Sequence, residues 1–467
     1  MPEPCHEPGV AVSRLPCVAL PAIVGLLERV GPAVTVAGAA ATAGTTSSSA
    51  AITDTDRVVT FGRKAPQRSE PTQMVEQSLD GTRSRSRARR LLLWLALSLA
   101  FAALASPGSA PASKQMLVGL FDDASTFGAP TTTFPLLESL HVQVVRLTLT
   151  WGGRDGVADK RPVHPNDPAD PAYRWARYDQ VVQDASRAGI QVLFTIVGTP
   201  DWANGGQGPR VAPASPVPLR QFAYAAALRY SGTFLDTASG RILPRVSLWL
   251  AWNEPNNSVF LRPQFIRVNG RWRFAAAAAY ARICNAIYTG VHAAGGPQRV
   301  ACGATAPRGY NDPNAARPST APIAFLRAAK AAGLRRFDAW AHHPYYSFPR
   351  ETPTTRLVDP HGVGFGDLDR LIGVLTQLYG AKPLWITEYG YQTNPPDSFY
   401  GVSWQDQAAY LREAYKIARA NPRIDLLTWF LLKDSPSLPE WQSGLMTASG
   451  RKKSAFTAYE GLHAGAV

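Results

Sequence analysis

The chain has 467 residues, 45% hydrophobic and 18% charged, the balance of a globular protein rather than a fibrous or membrane-embedded one. Its formal net charge of +14 raises the question of nucleic acid, yet about +10 of that is spread over the residues after 115, with no Lys/Arg-rich run and no aromatic–basic repeat. No nucleic-acid partner is expected, and four cysteines (Cys5, Cys17, Cys284 and Cys302) make no disulfide framework.

Residues 1–73 are rich in Pro, Ala, Ser, Thr and Gly with little periodicity. Such a segment buries too little apolar surface to offset its ordering entropy, so disorder is expected, or a start site set too early. Next comes a charged run RSRSRARR at 83–90, an apolar run LLLWLALSLAFAALA at 91–105, and small residues suited to signal peptidase at Ala103-Leu104-Ala105 and Gly108-Ser109-Ala110. Residues 74–110 therefore read as a secretory signal starting near Met74, and residues 111–467 as one mature domain. An apolar stretch of about 15 residues falls short of the roughly 20 that a membrane span needs. The expected location is extracellular with no stable membrane association after cleavage, the alternative being an uncleaved N-terminal anchor.

From residue 116 apolar β-rich runs alternate with helical segments, the texture of parallel α/β architecture. The strands are expected at 117–121, 142–151, 190–198, 246–252, 299–305, 337–343, 383–389 and 425–432. Helices are expected at 132–140, 174–188, 218–230, 275–294, 321–332, 367–379, 404–420 and 454–463. Cys284 falls in one of these helices and Cys302 in the next strand. They read as two small buried hydrophobes, with a disulfide across a helix–strand contact as the alternative.

Eight strands alternating with eight helices is the count of a (β/α)8 TIM barrel. An open dinucleotide-binding sheet would also alternate, but it carries G-x-G-x-x-G after its first strand, where this chain has Asp122-Asp123-Ala124-Ser125. Gly362, Gly364 and Gly366 read as turn residues before a helix, not as a phosphate cradle. No cofactor is expected.

The fourth strand runs into Trp252-Asn253-Glu254-Pro255 and the seventh ends in Thr387-Glu388-Tyr389-Gly390. A carboxylate at the last turn of an apolar strand is costly unless it faces the barrel mouth. Two of them, on distant strands of one ring, form a pair across a pocket, which is what glycoside cleavage requires. The doublet His342-His343 lacks a further ligand at metal spacing, so no metal is expected, and His342 is expected to point into packing.

On Asn-Glu-Pro after the fourth strand and Ile-Thr-Glu-Tyr-Gly at the seventh, residues 116–465 resemble the clan A glycoside hydrolases. The resemblance is closest to families 39 and 5. The third strand ends Val197-Gly198-Thr199-Pro200, without the histidine that many family 5 enzymes carry there, which leans it toward family 39. The resemblance implies a retaining glycosidase acting on a polysaccharide or oligosaccharide, with Glu254 as acid/base and Glu388 as nucleophile. It further implies that Asn253 holds the sugar 2-hydroxyl, that Arg146 pairs with the nucleophile, and that Tyr345 of the His343-x-Tyr345 pair orients it. Trp429 matches the tryptophan that floors the sugar subsite, with a core position as the alternative because strand residues alternate between layers, and Trp202 is a second candidate platform. Transglycosylation on the same mechanism, or a carbohydrate-binding barrel without turnover, are the alternatives. Trp252 and Trp385 are expected in the core. Substrate choice is expected in the loops 256–274 and 391–403.

Overall fold

Parallel strands covered on both faces need apolar side chains on both, and the eight apolar runs supply them. The computed structural model describes residues 116–153 and 155–463. The extension 1–73, the signal segment 74–110, Cys5 and Cys17 lie outside the described residues. The strands are β1 (Leu117–Phe121), β2 (Val144–Thr150), β3 (Gln191–Val197), β4 (Leu248–Ala251), β5 (Arg299–Thr305), β6 (Ala339–His342), β7 (Leu384–Tyr389) and β8 (Ile424–Phe430). Each pairs in parallel with its sequence neighbour, and β8 closes on β1 with Leu117 opposite Leu426. A principal helix follows each strand: α1 (Pro130–Ser139), α2 (Ala176–Arg187), α3 (Pro216–Arg229), α4 (Ala275–Ala293), α5 (Pro322–Ala331), α6 (Leu368–Tyr379), α7 (Trp404–Ala420) and α8 (Ser454–Glu460). The fold is a (β/α)8 barrel.

Alternation along each strand divides the core into two layers. Val144, Leu193, Leu250, Ala301, Ala339, Ala341, Leu426 and Trp385 form one cluster made of strand residues, the filling of the barrel. The alanines leave the room that the Trp385 indole takes, as interior layers of large and small side chains require. The intervening residues, such as Val145, Leu147 and Leu149 of β2 and Val192, Phe194 and Ile196 of β3, join the helices in a second, larger cluster. Burying each such side chain contributes roughly 1.5–3 kcal/mol.

Helix ends follow the sequence. Ser215 and Ser403 accept backbone N–H groups as N-caps, and Gly189 and Gly333 leave α2 and α5 at φ of 67° and 92°, conformations that any Cβ would strain. Gly290 serves packing instead: a Cβ there would lie 2.2 Å from the Arg220 carbonyl oxygen of α3, so α3 and α4 approach as closely as they do only because this position is bare. Cys284 of α4 and Cys302 of β5 are disulfide-bonded, with Cα atoms 6.0 Å apart, so the bonded alternative holds and α4 is tied to the barrel. Among the described residues no helix is long and apolar enough to cross a membrane.

Several elements are new, two of them after β1 and β4. A short helix, Asp123–Gly128, follows β1 directly. The region expected as an open loop at 256–274 contains an antiparallel hairpin, Phe265–Val268 with Arg271–Phe274. Asn269 and Gly270 make its turn at φ of 49° and 75°, the left-handed pair that a two-residue hairpin turn uses.

Candidate active site

β2, β4, β6 and β7 and the segments that follow them bring Arg146, Asn253, Glu254, His343, Tyr345 and Glu388 into one buried network. Arg146 enters from β2 and is 1% exposed. Its Nη1 donates to Glu388 Oε1 at 2.6 Å and to the Thr387 carbonyl at 2.9 Å, its Nη2 to Asn253 Oδ1 at 2.7 Å, and its Nε to Thr195 Oγ1 at 2.9 Å. The guanidinium also lies 4.2 Å from the centre of the Phe121 ring. Because the Asn253 oxygen is engaged by a group that only donates, the Asn253 amide is oriented with its N–H groups away from Arg146.

Glu388, with a side chain 4% exposed, takes its second bond from the Tyr345 hydroxyl, which donates to Oε2 at 3.1 Å. Tyr345 packs against Trp441, with ring centres 4.8 Å apart and planes tilted by 37°. Burial, then the charge of Glu388, pushes its phenol well above the usual range, so it remains a donor.

Glu254 arrives on a strained backbone. Trp252 and Glu254 have φ of 66° and 36°, values that cost non-glycine residues about 1–3 kcal/mol each, and the Glu254 N–H is held by the Ala304 carbonyl at 2.9 Å. The side chain is 14% exposed. Burial raises its carboxyl from the ordinary value near 4.5 to about 7, against the opposing pull of Asn257, Arg146 and Arg308. Its Oε1 lies 3.0 Å from His343 Nδ1, and His343 Nε2 lies 3.0 Å from Thr387 Oγ1. Burial lowers His343 to about 3, so the imidazole is neutral near pH 7 and its contact with Glu254 is a hydrogen bond between the two side chains. One oxygen of each glutamate and one His343 nitrogen all lie within 4.8 Å of one another.

Those three groups have the atom types of a metal site, but each is already engaged within the network, and the adjacent Arg146 charge opposes a second cation. His342 is fully buried and neutral, bonding Thr305 Oγ1 and the Val363 carbonyl.

Beside this network, over the ends of the first four strands, lies a cavity of about 540 Å³. Phe121, Phe127, Tyr178, Trp252 and Phe260 line it, with Arg146 and Asn253 at the same wall that holds Glu388. Trp252 is buried, as expected, but also borders this space.

Two expected residues lie elsewhere. Trp429 is fully buried in the layer between barrel and helices, its indole N–H donating to the Ser443 carbonyl at 3.0 Å. It offers no face to a sugar; alternation gives the mouth-facing position to Phe430, which clusters with Phe121, Tyr345 and Trp441. Trp202 donates its indole N–H to the Ala158 carbonyl at 2.8 Å and stands edge-on to Trp151, outside the residues lining the cavity. Trp441, in the loop after β8, had no periodic signal to betray it. Phe430 did, by directly following Trp429.

No family model and no curated protein matches the sequence. The structure is similar to that of a family 39 glycoside hydrolase from the gut symbiont Bacteroides cellulosilyticus WH2, at 18% identity and TM-score 0.52, covering 75% of this chain and 64% of that one. It is similar also to a glucosidase from Croceicoccus marinus, at 15% identity and TM-score 0.55, covering 76% and 66%. This chain thus spans just under two thirds of the length of either protein. What it shares with these two glycosidases is the barrel fold.

Proposed function

We propose that this chain hydrolyses O-glycosidic bonds of a polysaccharide or oligosaccharide with retention of anomeric configuration. The observation that carries the reading is the pairing of Glu254 and Glu388, with oxygens within 4.8 Å and opposite environments. Glu254, raised to about 7, holds a proton to give; Glu388, bonded by Arg146 and Tyr345, is stabilised as a carboxylate. Different environments around two carboxyl groups divide the acid role from the nucleophilic one.

In the first step Glu388 attacks the anomeric carbon while Glu254 protonates the departing oxygen, giving a glycosyl ester and a free alcohol. In the second, Glu254 takes a proton from water, the resulting hydroxide opens the ester, and Glu388 is released as a carboxylate. Two inversions give net retention. A separation near 5–5.5 Å suits direct attack, whereas inversion needs roughly 6.5–9.5 Å to admit a water. The Asn253 N–H groups and the aromatic walls of the adjoining cavity suit a hydroxylated ring with apolar C–H faces.

The Cys284–Cys302 disulfide supports secretion, because such bonds persist in oxidising compartments. The deciding experiment follows an aryl glycoside by proton NMR. The first anomer released should match that of the substrate, and Glu388→Gln should abolish release. Release of the opposite anomer first would refute the double displacement.

A further inference from the structure

The cavity over the first four strands contains a carboxyl group that the cleavage chemistry leaves unused. Two adjacent aspartates follow β1, and the fold employs them differently. Asp122 caps the short helix through the Ser125 N–H and hydroxyl, and also accepts the Leu432 and Lys433 N–H groups. Its acceptor capacity is taken up in joining β1 to the end of β8. Asp123 lines the cavity instead. Among the described residues Thr148 alone bonds its side chain, the backbone N–H donating to Oδ1 at 3.1 Å and the hydroxyl donating as well, and no basic side chain pairs with it directly. Burial pushes the carboxyl above its usual range, with the distant pull of Arg146 too weak to restore it. The residue is half-buried at the cavity wall, where loss of water disfavours the charged form unless further donors reach it.

The surroundings define what would satisfy it. Asn253 lines the same cavity with its oxygen taken by Arg146, which leaves its N–H groups to donate elsewhere, while Asp123 presents acceptor capacity. Phe121, Phe127 and Trp252 add apolar surface to the lining. A group that both donates and accepts, repeated around a ring with C–H faces, matches all three features. A cavity of about 540 Å³ lies within the roughly 300–1,000 Å³ typical of small-molecule sites.

We propose that Asp123 is a specificity-determining residue that accepts hydrogen bonds from hydroxyl groups of a neutral sugar ring, the ring whose anomeric carbon is attacked by Glu388. The inference rests on the glycosidase reading and adds to it the residue that selects the glycone. A site built around a hydroxyl rejects the analogue lacking it far more strongly than an apolar pocket rejects a missing methylene.

The test measures kcat/KM of the full-length protein on the aryl glycoside it cleaves best and on the mono-deoxy analogues of that glycoside. Wild type should lose about a hundredfold or more at one ring position beyond the 2-position. Asp123→Asn keeps an oxygen for the Thr148 N–H and replaces the other with a donor. In that variant the penalty at this one position should shrink to within a few-fold, while the penalties at other positions stay as in wild type. A structural role would instead lower all substrates together, and Asp123→Asn that behaves so, or that keeps the full wild-type pattern, overturns the assignment. Failure of wild type to cleave any glycoside would sink the glycosidase reading and this inference with it; cleavage with a uniform loss in the variant sinks the inference alone. Thermal unfolding and circular dichroism of the variant establish that it is folded, and Asp123→Glu, which restores the acceptor, should recover part of the discrimination.

Discussion

Arg146 and Glu388 meet at 2.6 Å with side chains only 1% and 4% exposed, and the same guanidinium reaches Asn253 at 2.7 Å. One cation therefore aligns the carboxylate proposed as nucleophile and the amide beside it. A lysine would keep the charge but lose the fork that makes these bonds together. Arg146→Lys should lower kcat on a glycoside about a hundredfold, the scale of removing one fixed charge-stabilising donor, with a smaller change in KM. Arg146→Met, which leaves Glu388 buried without its partner, should in addition destabilise the fold by about 3–5 kcal/mol in denaturant titration. Wild-type turnover in Arg146→Lys would remove the arginine from the mechanism.

On the proposed mechanism Glu254 sets the pH dependence. With its carboxyl near 7, kcat/KM should be highest below that value and fall above it, as the proton needed by the leaving group is lost. Glu254→Ala should spare substrates with activated leaving groups, which need no protonation, and slow poor leaving groups severely. The same shift has a stability consequence. The folded state holds the proton more tightly than the unfolded chain, so this group's contribution is full below about 4.5 and is lost as pH rises toward 7. Relative to wild type, Glu254→Gln should thus gain stability across that window. A pH profile of kcat/KM without a basic limb near 7, measured on a poor leaving group, would contradict the acid role.

Which features were legible in the sequence follows from how each is encoded. The eight strands stood out because both faces of a parallel barrel strand are apolar, so each reads as an unbroken run. Glu254 and Glu388 stood out for the opposite reason, as charges at the ends of such runs. Trp429 failed because a strand's period is two: a shift of one residue exchanges mouth for core, and apolar runs do not reveal which phase holds. The hairpin at 265–274 was encoded by Val268-Asn269-Gly270-Arg271, a strong local turn signal that a reading of 256–274 as one long loop leaves unused. Asp123 carried no signal, since its neighbour Asp122 has the same chemistry and only three-dimensional partners separate the two.

The placement of Trp429 and Trp441 makes a contrast that one pair of variants can resolve. Trp429 is fully enclosed against Tyr389 and tied to the Ser443 carbonyl. Removing it leaves a large void and takes from the Ser443 carbonyl one of its two donors, the other being the Gln407 amide, so Trp429→Ala should destabilise the protein by about 3–5 kcal/mol, and at temperatures where it remains folded should cleave small aryl glycosides at near wild-type rates. Trp441 is 9% exposed, packs on Tyr345 at 4.8 Å and meets Phe430 edge-on at 5.2 Å. Its loss takes away the surface that holds the Tyr345 ring while Tyr345 bonds Glu388. Trp441→Phe, which retains part of that surface, should therefore lower kcat more than it lowers the unfolding midpoint, the reverse of Trp429→Ala. If Trp429→Ala instead loses turnover while keeping its stability, the tryptophan acts at the site after all and the buried position described here is not the one it occupies during catalysis.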